Sequence, residues 1–191
     1  CREGLEAGAP EDTDIVFVGE MTDLATVSLA LPAAEAGLLD LGTLDTNNAL
    51  KTIQRMIDVF PADKQPQAST MLANALRGVL AQVLLKRADG KGRLAVNEIL
   101  ISNNAVSSII REGATQKLQD VIVSGKGQGM QFMDDAIWGN LQKGIVSPHE
   151  AFMQANDKNL FKKFLHPDEV GFVHAIGDAP DDEKPLASNA P

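Results

Sequence analysis

The stretch from Ile15 to Asn48, IVFVGEMTDLATVSLALPAAEAGLLDLGTLDTNN, decides the fold of this chain. A short apolar run at 15–18 is followed by Gly19-Glu20, then by a helix-like segment, and then by a second apolar run that leads into Thr43. The order is therefore strand, acidic tip, helix, strand and polar tip, which is typical of a βαβ unit with parallel strands. This pattern predicts an α/β fold.

The ends of the two predicted strands carry the candidate functional groups. In an open α/β sheet, ligands bind in the crevice beyond the carboxyl ends of the strands. Glu20 and the polar segment 45–48 both follow such ends, so we expect them to face one crevice. A carboxylate at this place commonly orients water or a metal ion in phosphoryl transfer. An ordinary βαβ unit with polar strand ends is the alternative that the pattern leaves open.

Charge and hydropathy exclude two classes of partner. The 191 residues have a formal net charge of −9 and a sequence pI near 4.7, and the basic residues are scattered. We therefore expect no nucleic-acid partner. No run approaches the roughly 20 apolar residues of a membrane span, so we expect no membrane insertion.

A lone cysteine, Cys1, excludes an internal disulfide and fits a reducing compartment.

Helix and hairpin signals fill the rest of the chain. Apolar spacing, proline and glycine predict helices at 2–7, 24–36, 48–59, 65–83, 105–112, 115–123, 130–142 and 148–155. Pro32 predicts a kink or a late start in the second of these helices. Strands at 83–87 and 93–101 flank the turn signal Asp89-Gly90-Lys91-Gly92, which predicts a hairpin. Ser147 to Glu150 reads as a capping box.

Three glycine-lysine sites fail as phosphate-binding loops. They are Gly90-Lys91, Gly125-Lys126 and Lys143-Gly144, and none of their lysines is followed by Ser or Thr. A phosphate loop needs that hydroxyl on the magnesium ion and an earlier glycine at fixed spacing. We therefore predict turn and linker roles for these sites. The three histidines lie away from the strand tips, so we predict no metal site.

Several segments, taken together, resemble the C-terminal part of the PilT family of type IV pilus retraction ATPases. Those motors are RecA-like members of the secretion-ATPase superfamily. The resemblance covers about 11–165. It is carried by EDTDIVFVGEMTDL at 11–24, AAEAG at 33–37, GTLDTN at 42–47, LRGV at 76–79, ADGKGR at 88–93, AVSSIIRE at 105–112 and GMQ at 129–131.

The resemblance implies a fold and a division into domains. It implies the C-terminal half of a RecA-like P-loop NTPase core at 1–101, followed by a helical C-terminal region at 102–165. The remaining segment, 166–191, is rich in Asp, Pro, Ala and Gly and has few large apolar residues. Such a composition predicts a disordered acidic tail.

The resemblance also implies roles for particular residues. The segment 11–24 is similar to the family's Walker B segment, with Glu20 in the position of its catalytic glutamate. Nucleotide-binding positions at the strand tips are implied at Gly19, Thr43, Asp45 and Thr46. The family associates 105–112 with retraction, which places Arg111 and Glu112 in a coupling segment.

Cofactor, partners and location follow from the same resemblance. It implies ATP and Mg²⁺, a homo-hexamer, and contact with the pilus platform protein of the inner membrane. It also implies a cytoplasmic location at the periphery of that membrane. The family's phosphate loop and Asp box would lie before Cys1, and we expect the chain to be part of something longer. Because it lacks a phosphate loop, we expect the chain alone neither to bind nor to hydrolyse ATP appreciably.

Departures from the family pattern keep rival hypotheses open. The family has His where this chain has Asp45, and Arg and Glu where it has Thr22 and Ala25. Asp45 would repel a polyphosphate, and Asp40 falls where the family's strand is apolar. A diverged or truncated, non-catalytic paralogue that binds intact motor subunits is the alternative function. The related type II secretion ATPases commonly carry a cysteine-rich zinc insertion, and the single cysteine, Cys1, speaks against them.

Overall fold

The computed structural model describes residues 13–166, which form an α/β structure of strands, helices and short 3₁₀ turns. The strands are β1 (Ile15–Val18), β2 (Leu39–Gly42), β3 (Gly78–Lys86) and β4 (Arg93–Ile101). The helices are α1 (Leu24–Glu35), α2 (Ala49–Asp58), α3 (Gln65–Ala75), α4 (Asn104–Arg111), α5 (Leu118–Ser124), α6 (Met133–Gln142), α7 (Pro148–Gln154) and α8 (Asn159–Lys162). The predicted helix at 2–7 and all but the first residue of the predicted tail at 166–191 lie outside the described residues.

The βαβ unit predicted from the opening stretch is confirmed. β1 and β2 pair in parallel, from Ile15 opposite Leu39 to Val18 opposite Gly42, and α1 is the connection between them. Because side chains alternate across a strand, the two faces of this small sheet differ. Val18 is fully buried in the core, whereas Phe17 is 65% exposed.

Helix α1 corrects one expectation about Pro32. The helix starts at Leu24 because the Asp23 side chain accepts a hydrogen bond of 2.7 Å from the Thr26 backbone nitrogen. The expected late start is therefore wrong. Pro32 lies inside the helix near its end, where a proline removes only one backbone hydrogen bond. Gly37, with φ of +112°, ends the helix as expected.

The predicted helix at 65–83 is too long. α3 ends at Ala75, and β3 begins at Gly78. β3 and β4 form nine antiparallel pairs, from Gly78 opposite Ile101 to Lys86 opposite Arg93. This long-range ladder overrides the local helical spacing, which also fits a strand with every second side chain inward. The hairpin itself is confirmed, although its first strand starts five residues earlier than predicted.

Two other helix predictions needed adjustment. The segment 115–123 is a 3₁₀ turn at Thr115–Lys117 followed by α5. The helix predicted at 130–142 starts only at Met133, because Gln131 forms a β-bridge with Ile99 through two backbone hydrogen bonds of 2.9 and 3.0 Å. Only half of the capping box predicted at 147–150 is confirmed. The Ser147 hydroxyl accepts a hydrogen bond of 3.2 Å from the Glu150 nitrogen, whereas the Glu150 carboxylate accepts one of 2.9 Å from the Lys86 nitrogen.

Two groups of buried apolar side chains hold the described residues together. The first joins the βαβ unit to α2, α3, α4 and α5, and it includes Val18, Ile53 and Ile110. The second joins the far end of the hairpin to α6, α7 and α8 through Leu85 and Phe161. No helix in the stretch 13–166 is long and apolar enough to cross a membrane.

Candidate functional site

Hydrogen bonds join the segments that follow the C-terminal ends of β1 and β2. The Thr43 hydroxyl donates a hydrogen bond to the Gly19 carbonyl, and the Met21 nitrogen donates one of 2.9 Å to the Thr43 carbonyl. These two bonds continue the parallel pairing past the strands and hold the turn that carries Glu20. The Glu20 side chain is exposed. The structure thus brings Gly19, Glu20 and Thr43 together at one end of the sheet.

The second strand tip is tied to the start of α2. The Thr46 and Thr52 hydroxyl oxygens lie 2.7 Å apart, so one donates to the other. Asn48 caps the helix by accepting a hydrogen bond of 2.8 Å from the Lys51 nitrogen. Since these bonds anchor the loop on both sides of Asn47, Thr46 has a defined position.

A cavity of about 540 Å³ lies beside this loop, and both acidic and basic side chains line it. Asp45 and Thr46 line it together with Lys51 and Arg55 of α2. We predicted from the sequence that Asp45 would repel a polyphosphate, and we did not predict this pair of basic side chains beside it. Lys51 and Arg55 are four residues apart on the helix that follows β2, so they share one helix face, and this spacing could have predicted the pair from the sequence.

Glu98 is a buried carboxylate that the sequence-based search also missed. It is only 2% exposed, and it accepts hydrogen bonds of 2.8 Å from the Ala49 nitrogen and 3.2 Å from the Met133 nitrogen. These nitrogens belong to the first residues of α2 and α6. Burial raises the pKa of Glu98, while the two hydrogen bonds oppose that rise. An acidic residue at an inward position of a strand was the signal that could have found it.

Asp134 forms a second buried link near the same loop. Its two carboxylate oxygens accept hydrogen bonds of 2.7 and 2.8 Å from the nitrogens of Asn156 and Asp157. The Asn156 side chain in turn accepts a hydrogen bond of 3.1 Å from the Asn48 amide. Burial raises the pKa of Asp134 despite these bonds. Through this chain of contacts, the loop after β2 is connected to the C-terminal helices.

Asp40 lies in β2 with no hydrogen-bond partner for its carboxylate among the described residues. Both of its side-chain oxygens are buried, and burial raises the pKa of this group. Asp40 is thus a buried carboxylate without a hydrogen-bond partner in the described residues, which is an unfavourable arrangement for a charged group.

Arg111 and Glu112 lie at the end of α4. The Arg111 guanidinium donates a hydrogen bond of 3.1 Å to the Asn74 side chain, which itself donates one of 3.2 Å to Glu35. Glu112 accepts a hydrogen bond of 2.7 Å from the Ser108 hydroxyl. The first contact places Arg111 against α3, whereas that of Glu112 stays within α4, and none of these contacts joins Arg111 or Glu112 to the strand tips.

The described residues fit only one part of a nucleotide site. Glu20, Asp45 and Thr46 offer oxygen ligands, and Mg²⁺ often takes one or two carboxylates together with substrate phosphates. Within 13–166, however, no group of three His, Cys, Asp or Glu residues could hold a metal ion. Two of the glycine-lysine sites have clear local structures: Lys91 lies in the hairpin turn, and Lys126 lies in the 3₁₀ segment Gly125–Gln128 and pairs with Asp135 at 2.6 Å. The part of the chain that the structure describes therefore has no cradle for the phosphates.

Comparisons with known proteins agree with the resemblance of the sequence. The family model described as "Type II/IV secretion system protein" matches residues 2–152. A twitching motility protein of Neisseria gonorrhoeae is 42% identical over 153 residues, which are 80% of this chain and 41% of that protein. The type IV pilus retraction ATPase PilT of Pseudomonas aeruginosa is 43% identical, over 78% of this chain and 43% of its own length.

Solved structures show the same relationship. The pilus retraction motor PilT with bound ADP superposes with a TM-score of 0.75 at 36% identity, over 85% of this chain and 45% of that one. The ATPase DotB of Legionella pneumophila gives a TM-score of 0.67 at 24% identity over 80% of this chain, and this match supports the fold alone. The chain spans less than half the length of these relatives. It belongs to the type II/IV secretion system protein family, where it resembles the PilT group of pilus retraction ATPases.

Proposed function

We propose that this chain supplies the second half of a RecA-like P-loop ATPase core, with its helical C-terminal region, in a PilT-like motor for type IV pilus retraction and twitching motility. The observation that carries the proposal is the bonded pair of strand tips, which holds Glu20 beside Thr43. This is the arrangement expected of an acid and a sensor position at one end of a parallel sheet. The 43% identity to a retraction ATPase supports it.

Within such a core, each tip residue has a separate task. Glu20 is the general base that orients the attacking water, as acids do in phosphoryl transfer. Thr43 fixes the turn that carries Glu20 through its bond to Gly19. Asp45 and Thr46 lie at the sensor tip, where Lys51 and Arg55 offset the negative charge of Asp45. Bound Mg²⁺ and ATP would bring a Lewis acid and the transferable phosphoryl group, and the phosphate cradle must come from polypeptide outside the described residues.

We further propose how the chain contributes to assembly of the motor and to the transmission of motion. The core half occupies 1–101 and the helical region 102–165, and the motor is a homo-hexamer. Arg111 and Glu112 contribute to the surface that transmits motion to the platform protein at the cytoplasmic face of the inner membrane. The exposure of Arg111 and Glu112 supports this role.

A second candidate function is a non-catalytic module that binds intact motor subunits. Two carboxylates favour it, because both stand where they would weaken an active motor. Asp45 is exposed at the sensor tip, and the oxygens of Asp40 are buried without a hydrogen-bond partner in the described residues. In this function the chain would use the PilT-like surfaces without turning over nucleotide.

The first experiment tests the chain as it is. We expect the purified 191-residue protein to show neither ATP binding by calorimetry nor steady hydrolysis. Steady hydrolysis that Glu20→Gln abolishes would contradict the requirement for an additional phosphate cradle.

The second experiment separates the two functions in a complete motor. Residues 11–165 replace the matching segment of the Pseudomonas aeruginosa PilT, and ATP hydrolysis is measured for this hybrid and for its Glu20→Gln and Asp45→His variants. We expect hydrolysis that depends on Glu20 and rises with Asp45→His, because the substitution removes a negative charge near the phosphates. A folded, hexameric hybrid that stays inactive even with Asp45→His would favour the non-catalytic module.

A further inference from the structure

One side chain of β4, Glu98, links the start of α2 to the start of α6. One of its oxygens accepts a hydrogen bond of 2.8 Å from the Ala49 nitrogen, and the other accepts one of 3.2 Å from the Met133 nitrogen. Each of these two helix residues has a neighbour in the sequence with a further bond. Asn48 precedes Ala49, and Asp134 follows Met133.

Asn156, between α7 and α8, joins these two neighbours. Its nitrogen donates a hydrogen bond of 2.7 Å to Asp134, and its side-chain oxygen accepts one of 3.1 Å from the Asn48 amide. With the two bonds of Glu98, these contacts close a ring of residues, which we name the α2 ring: 48, 49, 98, 133, 134 and 156. The α2 ring ties the start of α2 to the hairpin, to α6 and to the segment between α7 and α8.

The orientation of the Asn48 side chain follows from its second contact. Its oxygen accepts a hydrogen bond of 2.8 Å from the Lys51 nitrogen as the N-cap of α2, so its amide nitrogen must face Asn156. Position 156 must therefore present an acceptor. A side chain without one would leave an N–H group of Asn48, which is only 9% exposed, without this partner.

The α2 ring is buried everywhere except at Asn156. Glu98 and Asp134 are each 2% exposed, whereas Asn156 is exposed. Hydrogen bonds between buried groups are costly to break, while water can replace the bond of an exposed group. The contact between Asn156 and Asn48 is therefore the bond of the ring that opens at the lowest cost.

The α2 ring holds one end of the loop 45–48 that follows β2. Asn48 is the last residue of this loop, and Thr46 is bonded to Thr52 in the first turn of α2. Because so short a loop has little freedom between these two anchors, a displacement of Asn48 must also displace Thr46 or Asp45. The contact at Asn156 thus bears on both of these proposed site residues.

We propose that Asn156 is a positioning residue for the loop 45–48, and that through Asn48 it makes the location of Asp45 and Thr46 depend on the C-terminal helices. Asn156 acts through Asn48 and not by contact with nucleotide. The proposal deepens the proposed function and rests on it where hydrolysis is concerned. The positioning itself is a property of the chain alone, so it can be measured without nucleotide.

Amide NMR spectra of the full 191-residue chain test the positioning. Asn156→Ala removes the acceptor, Asn156→Asp keeps one, and Asn159→Ala changes an exposed neighbour whose side chain makes no hydrogen bond within 13–166. In Asn156→Ala we expect shifted signals for 45–48 and about tenfold faster hydrogen exchange at the Ala49 and Lys51 amides. The other two variants should resemble the parent. Unchanged signals and exchange rates in Asn156→Ala, or an equal change in Asn159→Ala, overturn the proposal.

The hybrid motor with residues 11–165 in the Pseudomonas aeruginosa PilT tests the consequence for hydrolysis. We expect Asn156→Ala to lower kcat about fivefold and to change KM for ATP less than about twofold, because a displaced tip weakens transition-state contacts most. Asn156→Asp should restore kcat, and Asn159→Ala should leave it unchanged. An active hybrid in which Asn156→Ala keeps its kcat, or changes KM alone, overturns the proposal. A hybrid without hydrolysis that depends on Glu20 contradicts the proposed function instead, and the NMR comparison then decides the positioning.

Discussion

Glu98 in the middle of β4 holds the first residue of α2, Ala49, by a hydrogen bond of 2.8 Å from the Ala49 nitrogen to the Glu98 carboxylate. The other oxygen of the same carboxylate accepts the Met133 nitrogen at the start of α6. One buried side chain thus satisfies the N-termini of two helices from different parts of the sequence. It also fixes the helix that follows the tip of β2, so the geometry of the candidate site depends on the hairpin.

Replacing Glu98 tests this relationship. In Glu98→Gln, one side-chain oxygen becomes an amide that cannot accept, so one of the two helix N–H groups loses its partner in a buried place. We expect the free energy of unfolding to fall by about 1–3 kcal/mol. Urea denaturation measures it, and Glu112→Gln, at an exposed helix end, is the matched control with a change below about 0.5 kcal/mol. Equal stabilities of the two variants would contradict the role given to Glu98.

Asp40 should make stability depend on pH. Burial raises its pKa above the ordinary value of 3.8, so the native state keeps a proton that the unfolded state has lost. The free energy of unfolding therefore falls as pH rises from about 3.8 through the raised native pKa. Asp40→Asn removes this dependence, and we expect its stability to decline less than that of the parent between acid and neutral pH.

The Asp40 comparison controls for the other buried acids. Burial also raises the pKa of Glu98 and Asp134, and their contributions have the same sign in the parent and in Asp40→Asn. The difference between the two denaturation series therefore isolates Asp40. Asp45→Asn serves as the exposed control. If the free energy of unfolding changed with pH in the same way for the parent and for Asp40→Asn, Asp40 would not contribute to the pH dependence of stability.

The side chain of Met21 leaves no space for a β-carbon at Gly42. A β-carbon at Gly42 would fall on the Met21 sulfur, which packs beneath the end of β2. We expect Gly42→Ala to lower the free energy of unfolding by about 1–3 kcal/mol through overpacking. In a Met21→Ala background the same substitution should cost less, and a double-mutant cycle measures this coupling. Additive effects of the two substitutions would refute the contact.

The uncovered face of the small sheet should cause self-association. Ile15, Phe17, Leu39 and Leu41 lie on this face and are 43–65% exposed. Contiguous apolar surface of this kind marks an interaction site or a cause of aggregation. We expect Phe17→Thr with Leu41→Thr to reduce the average mass in light scattering at high concentration, while Leu160→Thr, on α8, does not. Unchanged association of the double variant would rule out this face as its cause.

Short segments of the sequence were enough to predict much of the fold. The alternation of apolar run, acidic tip, helix and second apolar run predicted the βαβ unit, because apolar runs, helix caps and helix-ending glycines are signals carried by neighbouring residues. Asp89 to Gly92 predicted the hairpin turn, where Gly90 and Gly92 have φ of +71° and +84°. Ser147 predicted its helix start for the same reason. The family resemblance rests on equally local segments, and the comparisons confirm it.

Sequence order alone predicted that Glu20 and the polar segment 45–48 follow the ends of two parallel strands, and the family resemblance added Thr43 to the strand tips. Only the tertiary structure decided where α3 ends and β3 begins, because the apolar spacing after Ala75 fits either state and pairing with β4 selects the strand. The partners of Glu98 lie 49 and 35 positions away along the chain, beyond the reach of any local pattern. The isolation of Asp40 is likewise a property of the packed chain, because burial and missing donors exist only once distant elements surround a side chain.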